Sequence, residues 1–159
     1  MPSASAEIDL LDIEFVRLTT LPNMLTELVK ASQRERFRFL GRLVREWERG
    51  ETRFDSPDEV LLGVYQGSRL SGIGGITLDP YSADAKEGRV RRVYVRPELR
   101  GQGLGRRLVQ ELEQRAMPHF DKLTLFTDAQ AGSSFYEALG YKVVTGQVKR
   151  THEKCLGKR

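Results

Sequence analysis

The stretch RGQGLGRR, from position 100 to position 107, has the residue types of an anion-binding loop. Its three glycines permit positive φ angles and let a ligand approach the backbone closely. An amphipathic helix is predicted to begin within them, and a helix N-terminus offers amide groups without intrahelical acceptors and the positive end of the helix dipole. We therefore predict that the loop binds a phosphate or pyrophosphate group, with arginine side chains as charge partners. The residues concerned are Gly101, Gly103 and Gly105, and Arg100, Arg106 and Arg107.

The spacing of the glycines separates this loop from two common nucleotide-binding motifs. No Lys-Ser or Lys-Thr pair follows the last glycine, as a Walker loop requires, and the third glycine comes one residue too early for a dinucleotide fingerprint. A flexible surface turn is the alternative interpretation of the same residues. The strand before the loop and the helix after it favour the anion site.

The strand before the loop, GRVRRVYVRP, contains a break in its hydrophobic alternation. Val90 has the opposite parity to Val93 and Val95, so the apolar phase changes at Arg91 or Arg92. One extra residue, a β-bulge, would restore the phase and leave backbone N–H and C=O groups for a ligand lying along the strand. The alternative is a regular two-sided strand in which the Arg92 side chain reaches solvent.

A second candidate for chemistry is Tyr136, in a helix that Asp128 is placed to cap. Small residues share the face of this tyrosine at helical spacing and would leave room for a ligand beside its hydroxyl. The small residues are Ala129, Gly132 and Ser133, and the apolar face consists of Ala131, Phe135, Ala138 and Leu139. The alternative is a tyrosine that packs at the edge of the core.

The composition predicts one domain with an anionic partner. The chain has 159 residues, of which 39% are hydrophobic and 30% charged, which is enough for one core and too little for two. The net charge of +4 and the pI of about 9.4 suit an anionic ligand. Because 26 basic residues are interspersed with 22 acidic ones, a small polyanion fits at least as well as a nucleic acid.

Several other classes of protein are disfavoured. The single Cys155 cannot form an internal disulfide and is expected to be a small apolar strand residue, and two histidines form no metal-ligand cluster. No apolar run approaches the roughly 18 residues of a membrane span. The beginning, MPSASAEIDL, lacks the basic and apolar regions of a signal peptide. We therefore predict a cytoplasmic protein with no metal site and no membrane partner.

The elements that position these residues follow the order βααβββαβαβ, and the tail HEKCL can add a last short strand. The predicted strands are FVRLTT (15–20), EVLLGVYQ (59–66), LSGIGGITL (70–78), GRVRRVYVRP (88–97), KLTLFT (122–127) and YKVVTGQV (141–148). Helices are predicted after Pro22, from Leu40 to Trp47, from the glycine loop to before Pro118, and from Asp128 to Leu139. Residues 1–12 are expected to form a flexible N-terminus and residues 13–159 one domain.

Two stretches resemble the GNAT superfamily of N-acetyltransferases. VYVRPELRGQGLGRRLV is similar to the family's acyl-CoA-binding motif, in which a strand ending near Pro-Glu precedes Arg/Gln-x-x-Gly-x-Gly/Ala, and SFYEALGYKVV is similar to its Phe-Tyr-x-x-x-Gly-Phe segment. The predicted element order also matches, so the resemblance covers nearly the whole chain. It implies an α/β (α+β) GNAT fold, with a central mixed, strongly bent β-sheet of six to seven strands flanked by about four helices.

The resemblance implies an acetyl-CoA-dependent N-acetyltransferase with acetyl-CoA as cosubstrate and no metal. The pantetheine arm would bond to the backbones of Val93 and Val95, and the Val95 amide would donate to the carbonyl oxygen that becomes negative. The amides from 101 to 106 would bind the CoA pyrophosphate, and Tyr136 would protonate the departing thiolate. The implied cofactor-binding residues are Val93, Tyr94, Val95, Arg100, Gly101, Gln102, Gly103, Leu104, Gly105, Arg106 and Ser133.

One position in the second motif departs from the family pattern. Many members carry an asparagine seven residues before the tyrosine, and Ala129 stands there in this chain. Ser133 or Gln130 is expected to replace its contact with CoA.

The general base is a second departure. An amine attacks a thioester only when neutral, and a lysine-like amine has a pKa near 10.4, so a base or a water chain must take its proton. Some members carry a glutamate on the strand before the loop, but Arg89 is the nearest equivalent here. Of the available carboxylates, Glu87 and Asp79, we predict Glu87 as the base. An exposed loop carboxylate is the alternative interpretation.

The acceptor and the assembly stay open at this point. The resemblance implies a primary amine on a small molecule or peptide, and the basic surface disfavours a strongly cationic one. A non-catalytic acyl-CoA sensor and a basic nucleic-acid-binding domain are the alternative functions, and we predict no nucleic-acid partner. Strand edges near the C-terminus are compatible with a homodimer.

Overall fold

One seven-stranded sheet runs through the part of the chain that the computed structural model describes, which is residue 9 and residues 12–157. Its strands are β1 (Ile13–Arg17), β2 (Val60–Gln66), β3 (Arg69–Leu78), β4 (Glu87–Val95), β5 (Lys122–Leu125), β6 (Lys142–Val143) and β7 (His152–Cys155). The helices are α1 (Leu25–Arg34), α2 (Phe39–Glu48), α3 (Leu104–Ala116) and α4 (Gln130–Ala138), with a 3-10 turn at Pro97–Leu99. A flexible N-terminus was predicted over residues 1–12. Apart from residues 9 and 12, these lie outside the described residues.

The sheet is mixed, with the strand order β1-β2-β3-β4-β5-β7-β6. Its neighbouring strands are antiparallel except β4 and β5, which are parallel. A parallel pair needs a crossover connection, and α3 supplies it. The predicted element order is confirmed, including the strand in the tail.

Alternation along the strands divides the apolar residues between two cores. In β2, Leu61 packs in the core beneath α1 and α2, whereas the next residue, Leu62, packs in the core beneath α3. Both leucines are fully buried. Helices therefore cover both faces of the sheet. We call these the α1/α2 face and the α3/α4 face.

The glycines inside β3 serve close packing. A Cβ atom on Gly75 would lie 2.6 Å from the ring of Phe54 and 2.9 Å from the carbonyl oxygen of Val60. Both neighbours are fixed in the structure, since Phe54 is buried and Val60 belongs to β2. A larger residue at this position has no space.

Three local predictions were wrong. The strand predicted over residues 141–148 is reduced to β6, because the chain turns away through Gly146, which has a φ of 77°. The cap of α4 is Ala129 rather than Asp128, and it makes no side-chain capping bond. Cys155 does lie in a strand, but it is exposed at the strand's end.

The described residues lack both a membrane-spanning helix and a metal-ligand cluster. None of the helices in this part of the chain is long and apolar enough to cross a membrane. Nor does any group of three or more histidine, cysteine, aspartate or glutamate side chains in the described ranges have a geometry that could hold a metal ion.

Candidate functional site

An opening in the sheet lies between β4 and β5. The two strands pair only from Glu87 to Arg89 on β4, opposite Lys122 to Thr124 on β5, whereas β4 continues to Val95. Six residues of β4 therefore have no partner strand on this side within the described chain, a length of roughly 20 Å at the usual rise of a strand. Unpaired strand edges bind extended ligands through backbone hydrogen bonds.

The predicted β-bulge is confirmed and lies at the start of this opening. Between the register pairs Gly75 with Arg91 and Ile73 with Tyr94, β3 advances two residues while β4 advances three. The extra residue is Arg92, whose φ of 60° lies in the left-handed region. A residue with a side chain in this conformation costs on the order of 1–3 kcal/mol, so the surrounding packing must hold it there.

The bulge brings the backbone of Val93 and Val95 to the opening. Val90, Val93 and Val95 all face the core beneath α3, so the change of phase read from the sequence is real. The amide of Arg96 donates to the carbonyl of Ser71 on β3 at 3.0 Å. Because hydrogen-bonding direction alternates along a strand, the backbone groups of Val93 and Val95 point away from β3. The Val95 carbonyl accepts from Arg100, so the groups left for the opening are the N–H and C=O of Val93 and the N–H of Val95.

The glycine loop lies at the end of the same strand. Gly101 and Gly103 have φ angles of 80° and 85°, and apart from their chain neighbours no described residue has an atom within 4 Å of the place where a Cβ would stand on either of them. Glycine is therefore required at both positions by the backbone conformation and not by a lack of space for a side chain. Gly103 is the N-cap of α3, and the first bond of the helix runs from the Arg107 amide to its carbonyl at 3.0 Å.

The N-terminus of α3 is accessible to an anion. The amides of the first helical residues, from Leu104 to Arg106, have no intrahelical acceptor because they begin the helix. Gly101, Gly103 and Arg106 are exposed around them. Gly105 lies inside the helix. A Cβ atom on it would lie 3.4 Å from the Phe135 ring, so glycine at this position allows α4 to approach α3.

Arg100 has a different position from the one expected of a phosphate ligand. Its two terminal nitrogens donate to the Glu35 carboxylate at 2.6 and 2.9 Å, and its Nε donates to the Val95 carbonyl at 3.0 Å. The Tyr94 hydroxyl also donates to Glu35. Burial alone would raise the pKa of Glu35, but the bonds from Arg100 and Tyr94 outweigh it and lower that pKa. Arg100 therefore ties the glycine loop to the end of α1.

Tyr136 lies half-buried on α4, against the core beneath α3. Its ring meets those of Phe135 and Tyr141 edge-on, with centroid distances of 4.9 and 5.4 Å. Its hydroxyl has no hydrogen-bond partner among residues 12–157, and burial raises its pKa above the ordinary value. The phenol is therefore protonated at neutral pH, and burial makes it a weaker acid than an exposed tyrosine.

The small residues of α4 pack against the sheet and do not leave open space. A Cβ on Gly132 would collide with the Thr127 side chain. The Ser133 hydroxyl lies 3.0 Å from Nε2 of the buried His152 and donates to Glu137 at 2.8 Å. The predicted apolar face was also wrong in part, because Ala131 and Ala138 are exposed while Phe135, Tyr136 and Leu139 contact the core.

Glu87 begins β4, five residues before the bulge, and belongs to an ion-pair network. It accepts hydrogen bonds from Arg150 at 2.7 Å and Ser82 at 2.8 Å, and Lys122 lies 3.7 Å away. Burial alone would raise the pKa of Glu87, but these partners outweigh it and lower that pKa. The buried Asp79 shares Arg150 at 3.2 Å. Both carboxylates are engaged, and the lowered pKa makes Glu87 a weak base.

Sequence reasoning missed one group, at the bulge on the α1/α2 face. Glu46 of α2 lies 2.8 Å from a terminal nitrogen of Arg92 and 3.9 Å from one of Arg91. The Arg92 side chain is only 9% exposed, and its Nε has no hydrogen-bond partner among the described residues. The break in alternation was the available signal, because it places two consecutive arginines on one face of β4.

Comparison with known proteins identifies the family. Residues 57–143, more than half of the chain, match the acetyltransferase (GNAT) domain. The chain belongs to the GNAT family. The family resemblance read from the sequence is thus confirmed, and the mixed sheet with its four helices is the GNAT fold in the described residues.

Solved structures agree with this GNAT assignment. A protein from Exiguobacterium sp. 255-15 that is assigned as an acetyltransferase is 26% identical, covers 91% of this chain and 93% of its own, and has a TM-score of 0.80. An acetyltransferase from Streptococcus agalactiae 2603 has a TM-score of 0.73 at 17% identity, over 91% of this chain and 99% of its own. The PaiA N-acetyltransferase from Thermoplasma acidophilum, in complex with coenzyme A, has a TM-score of 0.57 at 19% identity, over 90% and 98%. The last two show the shared fold.

Proposed function

We propose that this GNAT protein transfers the acetyl group of acetyl-CoA to a primary amine by direct attack in a ternary complex. The observation that carries the proposal is the open edge of β4, which ends in a glycine loop at the N-terminus of α3. These two features offer one ligand a hydrogen-bonding edge and an anion site in succession. Acetyl-CoA has a pantetheine arm followed by a pyrophosphate, in the order that this arrangement requires.

The backbone of this chain fits that ligand. Val93 and Val95 would bond to the pantetheine arm, and the amides from Gly101 to Arg106 would bind the pyrophosphate. Gln102, Leu104 and Tyr94 belong to the same segment and complete the proposed contacts. The positive φ angles at Gly101 and Gly103 support this, because they turn successive amides toward one point. Ser133 is the weakest member of the proposed set, since His152 and Glu137 already bind its hydroxyl.

The reaction needs three further contributions from the protein. The amine must lose a proton before its nitrogen attacks the acetyl carbon, and Glu87, through water, is our proposed base. The Val95 amide would stabilise the carbonyl oxygen as it gains charge. When the carbon–sulfur bond breaks, Tyr136 would give its proton to the thiolate; the absence of a hydrogen-bond partner for its hydroxyl in the described residues supports this role, whereas its raised pKa makes it a weaker acid. Because Glu87 lies five residues from the bulge, roughly 16 Å along the strand, its proton transfer requires a chain of waters.

The proposal also covers partners and location. The acceptor would be a small molecule or a peptide, and not a nucleic acid, since Arg91 and Arg92 at the bulge are largely buried. No membrane partner is proposed, and the cytoplasm is the proposed location. A homodimer could form at the edge strand β6, where Val143 is 53% exposed.

Binding of acetyl-CoA is the first test. At a hundredfold excess over its Kd, it should stabilise the fold by about 2.7 kcal/mol and raise the melting temperature by roughly 5–11 °C. A thiol-release assay with a panel of amines then tests turnover. Absence of a thermal shift at millimolar acetyl-CoA would refute the proposal, and a shift without thiol release for any amine would favour an acyl-CoA sensor. A steep salt dependence of DNA affinity would favour nucleic-acid binding.

A matched pair of glycine variants locates the ligand. Gly103→Ala and Gly67→Ala each place a side chain at a positive φ with no atom nearby, so each should lose on the order of 1–2 kcal/mol of stability. Only Gly103→Ala should also reduce the thermal shift caused by acetyl-CoA, because Gly67 lies in the turn between β2 and β3. Equal thermal shifts in the two variants would place the ligand elsewhere.

A further inference from the structure

The bulge places a cluster of buried arginines beside the opening. Val90 faces the core beneath α3, so Arg91 faces α2, and the extra residue in the strand turns Arg92 to the same side. Both guanidinium groups approach one carboxylate, that of Glu46. Two consecutive residues of a regular strand would point to opposite faces, so this pair exists only because of the bulge.

The positive charge at this position exceeds the negative charge. Arg91 and Arg92 are 16% and 9% exposed, and Glu46 is the carboxylate within 4 Å of them in the described residues. Arg42 of α2 is also close enough to act electrostatically on Arg92, and Glu59 on Arg91, which leaves three cations against two carboxylates. Buried cations without matching anions are costly. The site is therefore suited to one more anionic group.

Two unsatisfied donors lie on this face. The buried side-chain polar atoms without a hydrogen-bond partner in the described ranges are Nε of Arg92 and Oγ1 of Thr77. Ile76 faces the core beneath α3, so Thr77 faces the α1/α2 side, and its register partner on β4 is Arg89. Thr77 thus shares a face with Arg91 but lies nearer to Arg89 than to Arg92. Arg92 is also held at a φ of 60°. Unsatisfied buried donors and backbone strain are characteristic of binding sites.

We propose that Arg91 and Arg92, with the Thr77 hydroxyl, bind an oxyanion of the acceptor, so that the substrates are primary amines carrying a carboxylate or a phosphate. The inference rests on the proposed function, because it takes the acetyl group to lie at the Val93 edge. Arg92 is the residue directly before that edge. A small amine whose oxyanion binds the guanidinium groups would thus hold its nitrogen beside the acetyl carbon. A guanidinium group can bind either a carboxylate or a phosphate through two parallel hydrogen bonds.

Matched pairs of amines test the substrate class. Thiol release from acetyl-CoA would be measured with glycine against glycinamide and with phosphoethanolamine against ethanolamine. The oxyanion member of at least one pair should have a kcat/KM roughly tenfold or more above its neutral partner. The first pair reports a carboxylate and the second a phosphate. Equal rates within both pairs would overturn this inference and leave the acetyltransferase intact. No thiol release with any amine would overturn the proposed function and the inference together.

Variants then assign the site to its residues. Arg92→Gln should raise the KM for the preferred oxyanion amine by roughly tenfold to a hundredfold and leave the KM for acetyl-CoA unchanged. Arg92→Lys keeps the charge and the backbone strain but removes Nε, so its KM for the oxyanion amine should lie between those of wild type and Arg92→Gln. Arg49→Gln, which removes a 67% exposed arginine at the end of α2, is the control and should behave as wild type. If Arg92→Lys and Arg92→Gln both melt as wild type and both retain the wild-type KM, the assignment is wrong.

Discussion

Replacing Tyr136 by phenylalanine is expected to slow the release of CoA without weakening the fold. The ring contacts with Phe135 and Tyr141 do not involve the hydroxyl and are kept by phenylalanine. The hydroxyl itself has no hydrogen-bond partner in the described residues. Its removal should therefore change the free energy of unfolding by no more than about 0.5 kcal/mol.

The expected loss of rate follows from the chemistry of the leaving group. Positioned proton donors contribute roughly 10²–10⁴ in rate, and the lower end applies because a thiol with a pKa of about 8.5 leaves readily. We expect a fall of about a hundredfold near pH 7 in the single-turnover rate of thiol release. Above about pH 9 the thiolate no longer needs a proton, so the difference between wild type and variant should narrow.

Tyr141→Phe provides the control, because its ring touches that of Tyr136 but its hydroxyl has a different environment. The Tyr141 hydroxyl donates to the Glu113 carboxylate at 2.8 Å. Losing a bond to a charged group should cost roughly 1.5–3 kcal/mol and lower the melting temperature by roughly 3–12 °C, with thiol release unchanged. If Tyr136→Phe releases thiol at the wild-type rate with the wild-type pH profile, the tyrosine only packs at the core edge, and the proton comes from elsewhere.

Two further variants test the carboxylates. Glu87→Gln should lower kcat/KM about tenfold or more, whereas Glu153→Gln, which removes a carboxylate with the same lysine and arginine partners, should not; equal rates for the two would contradict the base assignment. Glu35→Gln should lower the melting temperature at pH 7, because Arg100 loses its partner. Since the folded-state pKa of Glu35 is lowered, its contribution is present above the unfolded value of about 4.3 and is lost as the pH falls through the folded value, so the gap to wild type should close in acid. A gap of constant size in melts from pH 7 to pH 3 would refute this.

The features that sequence reasoning predicted correctly are local ones. The bulge could be read from the parity of Val90 against Val93, because alternation is a property of a few consecutive residues. The glycine loop could be read from Gly101 and Gly103, because positive φ angles are a requirement of the single residue. The family followed from the same short segments. Roles at those residues, including that of Tyr136, stay predictions until the variants are measured.

The helix that carries Tyr136 shows what could not be predicted from the local sequence. Its period was predicted correctly, yet its buried side was predicted only in part, because Thr127 and His152 determine which small residues are enclosed. The strand predicted over residues 141–148 failed for a related reason. An apolar, β-rich segment becomes a strand only where a neighbour offers a free edge, and β7 pairs with just two of its residues.

The ion pairs of the site could not be predicted from the sequence and are seen only in the folded chain. Glu35 meets Arg100 across 65 positions, and Glu46 meets Arg92 across 46. No periodicity connects residues so far apart, since their pairing depends on how α1 and α2 pack on the sheet. The chain's local chemistry was therefore sufficient for the loop, the bulge and the family. The partners of its arginines, and with them the electrostatics of the acceptor side, arise from long-range packing.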